Sequence, residues 1–186
     1  EYPDFRFEEA ALRGFHEDDV WGGLGAMLAC DVPLLAQIEG NCMGAGVEIA
    51  SCCDIRVASN SARFGAPIAK LGFPMAPREA ALVAREAGTA TAREMLLEAT
   101  VFDASEMKAR GFLSTVLPDG TLTPAVLARA QRICALSPQA ARLNKQALRA
   151  TQGAAPVTAD GAYRYADSAE HREGVAAFLA KRPAVF

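Results

Sequence analysis

The chain has 186 residues, about half of them apolar, and a net charge of −3, which suits one domain, or one domain with an appendage, around a sizeable core. Acids and bases are interspersed and no basic run exceeds two residues, which argues against a nucleic-acid-binding surface. No apolar stretch reaches the ~18 residues of a membrane span, and the acidic start EYPDFRFEEA lacks the apolar core of a signal peptide.

Residues 1–13 have the polarity of a surface segment, and Asp18–Cys30 reads as a helix ending before Asp31-Val32-Pro33. Leu34–Ile38 is a strand. Ala45–Cys53 is a short buried helix, apolar on all sides, Ile55–Ala58 a strand, and Arg63–Phe64 a short strand or turn. Helices are expected over Arg78–Ala87 and Thr91–Leu97, with Gly88 as the stop between them. Ser105–Arg110 is helical and ends at Gly111. Phe112–Leu117 is a strand closed by the turn signal Pro118-Asp119-Gly120. Ala125–Ala135 and Gln139–Ala150 are amphipathic helices separated by Ser137-Pro138. Gln152–Val157 reads as a loop, and Asp160–Ala180 as a helix with a weak point at Gly174. Strands and helices alternate in the first half, then helices dominate, which predicts parallel βα units followed by a helical region.

Pro33–Asp54, PLLAQIEGNCMGAGVEIASCCD, carries the chemistry. A strand meets a glycine-bearing bend at Gly40–Gly46, and an apolar helix follows. A first turn built from Gly44, Ala45 and Gly46 lets a ligand approach the backbone, whose first N–H groups have no partner in the helix. Such donors suit an oxygen that gains charge during a reaction. Glu48 is the only charged side chain from Asn41 to Cys53. It admits two readings: an idle carboxylate favoured by the helix dipole, or a desolvated one whose raised pKa fits it for proton transfer.

Gly44-Ala45-Gly46-Val47-Glu48-Ile49-Ala50 also fits the dinucleotide pattern G-x-G-x-x-A. That pattern expects an acid about 20 positions on for the ribose, yet residues 55–78 contain no Asp or Glu. A nicotinamide cofactor is not expected, and no G-x-S-x-G elbow is present. The five cysteines form no C-x-x-C, and the two histidines, His16 and His171, are far apart. No metal site is expected. Cys52 and Cys53 read as buried hydrophobes, and His16 and His171 as surface residues. The odd cysteine count without disulfide spacing suits a reducing compartment, so a cytoplasmic location is expected.

Glu39-Gly40-Asn41 through Gly44-Ala45-Gly46-Val47-Glu48-Ile49-Ala50 to Cys53-Asp54, followed in register by Ile55-Arg56-Val57-Ala58 and Ala62-Arg63-Phe64-Gly65, resembles the enoyl-CoA hydratase/isomerase (crotonase) family. Lys70-Leu71-Gly72 extends the match. Glu173-Gly174, Ala177-Phe178 and Lys181-Arg182-Pro183 resemble the family's closing segment. The resemblance covers about Val32–Phe186. It implies an α/β fold, a crotonase-like ββα spiral with a helical C-terminal region: residues 1–120 a partial α/β core, 121–186 a helical region for trimerisation and CoA contact. It implies a family N-terminal part that this chain lacks.

The resemblance further implies an acyl-CoA thioester substrate, with CoA belonging to the substrate and no separate cofactor. It places the Ala45 N–H, flanked by Gly44 and Gly46, at a thioester oxygen, and makes Glu48 the acid/base. Phe178, Lys181 and Arg182 fall where family members contact the CoA nucleotide. The alternative for Arg182 is a cation at a helix end. A homotrimer or hexamer is implied. Family hydratases carry a second glutamate at the position of Ile68, and Ile68 cannot move a proton. Three activities stay open: hydratase-like chemistry, isomerisation by a single carboxylate, and acyl-CoA binding without turnover. Glu79 stands in a replaced glycine turn, as either a first-turn helix carboxylate or a substitute acid.

Overall fold

The computed structural model describes residues 8–151, 153 and 161–186. Residues 1–7 of the expected surface segment, Asp160, and the loop over Gln152–Val157 apart from Gly153 lie outside them. The chain forms two compact units, one of Glu1–Cys30 with Leu34–Val126, the other of Asp31–Pro33 with Leu127–Phe186.

The first unit opens on a continuous helical run: α1 (Glu9–Gly14), a π-helical turn (Phe15–Val20) and α2 (Trp21–Ala29). The run starts well before the expected Asp18. A contact ahead of Asp18 explains it: His16 Nδ1 lies 2.9 Å from Glu79 Oε1. Further along, Leu24 is buried against Cys52 and Leu82, with Val20, Trp21, Met27 and Leu28 around them. That apolar contact outweighs the low helix propensity of Gly22, Gly23 and Gly25.

Strands β1 (Leu35–Ile38), β3 (Ile55–Ser59) and β6 (Thr115–Leu117) form a parallel sheet, with Gln37 opposite Val57 and Val57 opposite Thr115. Strands β2 (Asn41–Met43), β4 (Arg63–Gly65) and β5 (Val101–Asp103) form a second sheet, β2 parallel and β5 antiparallel to β4. Consecutive strands β1 and β2 thus enter different sheets, and Gly40, at φ +69°, sits between them. Strands β2 and β5 escape a sequence reading because three residues are too few to display a period of two. Phe112 and Leu113, expected in the last strand, are buried core residues ahead of it.

Helix α3 (Ala45–Ser51) follows β2, and α4 (Pro77–Ala87) and α5 (Thr89–Leu97) follow a 3-10 turn at Pro67–Leu71. Helix α6 (Ala104–Ala109) starts in a reciprocal cap: Glu106 N–H donates to the Asp103 carboxylate at 2.8 Å, and Asp103 N–H to Glu106 at 2.8 Å. Val47, Phe64, Val83, Met95, Phe102, Met107 and Phe112 fill the core, with Phe64 and Phe112 edge to face at 6.0 Å. Arg56 lies over the Phe112 ring at 4.6 Å and donates to Phe112 O at 2.6 Å and Cys53 O at 2.9 Å. A buried cation is thereby satisfied.

The boundary between units falls within α7 (Leu122–Cys134). In the second unit, α8 (Pro138–Ala150) is capped by Ser137, whose hydroxyl accepts from Ala140 N–H at 3.0 Å. Asp31 belongs here because Gln146 and Arg149 each donate to it at 2.7 Å. The long helix expected from Asp160 is broken: a 3-10 turn spans Arg164–Asp167 and α9 (Ala169–Leu179) starts at a Ser168 cap. The break falls there and not at Gly174, because the Ser168 hydroxyl takes the His171 N–H at 3.2 Å. No described helix is long and apolar enough to cross a membrane.

Candidate active site

Glu48 sits one turn into α3. Gly44 caps that helix at φ 50°, ψ −116°, a conformation open to glycine. Its N–H donates to Gly65 O at 2.9 Å, fastening the bend to β4, and its carbonyl accepts from Val47 N–H at 2.9 Å and Glu48 N–H at 3.2 Å. The bend thus directs Glu48 inward, where it is 6% exposed. Helix α3 is not buried on every side, as its apolar composition suggested: Ile49 is 50% exposed and Ala45 is exposed. Val47, Glu48, Ala50 and Ser51 form the inner face.

A second carboxylate lies close by. Helices α3 and α4 pack together, and Glu79, in the first turn of α4, is only 3% exposed. Its Oε1 lies 2.9 Å from Nδ1 of His16, on the π-helical turn. Arg78 ties the same two segments together, 3.3 Å from Glu17 and over the Trp21 ring at 5.6 Å. His16 is therefore not the surface histidine expected from its polar neighbours. His16 and Glu79 are 63 positions apart, and the stretch between them carries no pattern that announces the pairing.

Among the described residues, no donor forms a hydrogen bond to the Glu48 carboxylate, yet no fully buried side-chain oxygen is left unpaired. Its oxygens therefore retain some access to solvent. Burial, reinforced by the charge of Glu79 and opposed by that of His16, pushes its pKa up to about 7. A carboxyl poised there both gives and takes a proton near neutrality. Burial also pushes the Cys42 and Cys52 thiols to about 11. Cys52 and Cys53 are buried small hydrophobes, as expected, and Cys42 is buried with them.

Ile68 lies in the Pro67–Leu71 turn, half-buried against the core. Phe178, Lys181 and Arg182 belong to the second unit. Phe178 is 83% exposed and edges an apolar hollow of about 510 Å³ with Leu143, Val175 and Phe186. Lys181 is exposed, at φ +52°. Arg182 is committed within the chain: its guanidinium grips Glu173 at 2.6 and 2.8 Å. With Val185 N–H, it holds the Glu173 carboxyl down at about 2.

Comparison with known proteins places the chain in a family. The family model described as Enoyl-CoA hydratase/isomerase matches residues 8–186, reaching further toward the N-terminus than the motifs alone. A solved structure of an enoyl-CoA hydratase/carnitine racemase from Magnetospirillum magneticum superposes with a TM-score of 0.94 at 37% identity, covering 98% of this chain and 69% of that one. "Probable enoyl-CoA hydratase echA8" of Mycobacterium bovis is 32% identical over all of this chain and 72% of its own length. The crotonyl-CoA hydratase of Syntrophomonas wolfei is 33% identical, covering 85% of this chain and 63% of that protein. The chain belongs to the enoyl-CoA hydratase/isomerase family of enzymes and has its crotonase-type α/β fold. It spans between 63 and 72% of the length of these relatives.

Proposed function

We propose that this chain acts on acyl-CoA thioesters through an enolate, most simply as a hydratase. One observation carries the reading: a buried carboxylate, Glu48, without a hydrogen-bond donor and poised near neutrality, stands where the family motif places its acid/base. The Ala45 N–H donates to the thioester oxygen as charge moves onto it, and one such donor is worth ~10²–10³ in rate. CoA enters with the substrate. Phe178 and Lys181 meet its nucleotide. Arg182 does so only by leaving Glu173. The chain works as a trimer or a pair of trimers in the cytoplasm.

Isomerisation is the second reading, favoured by Ile68, because a single carboxylate can lift a proton from one carbon and return it to another. A mass-resolved assay with short and long trans-2-enoyl-CoA in heavy-oxygen water separates the two. Oxygen incorporation is the expected result. Solvent-deuterium exchange without it means isomerase-type chemistry. Tight binding with neither signal leaves a non-catalytic acyl-CoA binder and removes Glu48 from catalysis.

A further inference from the structure

Glu48 and Glu79 are the buried carboxylates among the described residues. They come from different helices, α3 and α4, which pack on each other. One has no hydrogen-bond donor. The other is held at 2.9 Å by a histidine from a third segment. As a purely structural arrangement this is unfavourable. Burying one carboxylate costs free energy, and a second one on a helix packed against its own raises that cost. A purely structural role for the Glu79–His16 pair would be served as well by two apolar side chains. The segment that supplies His16 is a π-helical turn, a form that gathers at functional sites.

We propose that Glu79, oriented by His16, is the second proton-handling carboxylate of this site, supplied from the start of α4 in place of the one absent at position 68. The inference rests on the enolate reading of Glu48 and makes water the co-substrate. The water oxygen bonds to the β-carbon of the enoyl thioester while one water proton passes to the Glu79 carboxylate. The π electrons of the double bond move into the enolate. Glu48, protonated, gives its proton to the α-carbon as the enolate collapses to the thioester. The product has gained one H and one OH, and the proton on Glu79 returns to Glu48. His16 acts through Glu79: with a proton on Nδ1 it donates to Oε1 and leaves the other oxygen to face water. It is a positioning residue.

The test uses the full chain and two readouts. Heavy-oxygen incorporation into enoyl-CoA requires both carboxylates. Deuterium exchange at the α-carbon of a saturated acyl-CoA requires only Glu48. Glu79→Gln should lower the oxygen-incorporation kcat by ~10²–10⁴ and leave exchange within a few-fold of the unmodified chain. His16→Gln should lower the same kcat about tenfold, with KM and exchange unchanged. Glu48→Gln should remove both signals. Circular dichroism checks each variant for folding. Should Glu79→Gln not fold, Glu79→Asp keeps the charge and withdraws it by one methylene, and it should lose incorporation while keeping exchange. Unchanged incorporation in a folded Glu79→Gln, beside an inactive Glu48→Gln, overturns this inference and leaves the enolate reading standing. So does exchange without incorporation in the unmodified chain. Incorporation and exchange falling together in both Glu79 variants also overturns it. Full activity in Glu48→Gln overturns both.

Discussion

Glu48 is the residue where stability and function pull apart. Its pKa rises from 4.5 to about 7 on folding, so between those values the folded chain holds a proton that the unfolded chain has lost. Stability therefore falls as pH rises through that window and levels off above it. Burial is the main cause of the rise, with Glu79 adding to it and His16 opposing it. Glu48→Gln removes the titration and keeps the shape. We expect it to lower turnover by ~10²–10⁴ and to raise stability above pH 7 by up to ~3 kcal/mol. Urea unfolding at pH 5 and pH 8 measures this, and an equal effect at the two pH values would contradict the buried titration. Glu48 was legible in the sequence because it stands alone in an uncharged helix. His16 was not, because only a contact across 63 residues distinguishes it from a surface histidine.

At the scale of the element, the bend before α3 matters most. Gly44 holds φ 50° and ψ −116°, and a Cβ added there meets nothing within 4 Å. Gly44→Ala should therefore cost backbone strain alone, ~1–3 kcal/mol, seen as a lower urea midpoint with an unchanged slope. A much larger loss would mean that the added methyl clashes. The turn at Pro118-Asp119-Gly120 was also readable: Thr121 N–H donates to Pro118 O at 3.1 Å and Gly120 sits at φ +80°. Its residue types encode the turn locally. The starts of the first and last helices were not readable. The contact of His16 with the distant Glu79 holds the first, and the Ser168 cap competes with a longer pattern at the last.

At the scale of the whole molecule, apolar side chains remain on the surface of the second unit. Leu136, Leu148, Phe178, Leu179 and Val185 are all exposed. Symmetric assembly would cover such surface. Light scattering at micromolar concentration should then give three or six times the chain mass. A stable monomer would count against the assembly.

The sequence by itself determined the βα alternation of the first half, the helical second half, the family and the place of Glu48. Each of these depends on residues close together in the chain: a glycine bend, a lone charge, a turn triplet. Tertiary structure alone decided that β1 and β2 enter different sheets, that three-residue strands complete the second sheet, and that Arg182 is spent on Glu173. It also decided that His16 meets Glu79 and that the helices carrying Glu48 and Glu79 pack together. These outcomes turn on which distant surfaces bury each other, and burial energy carries no local signature in the order of residues.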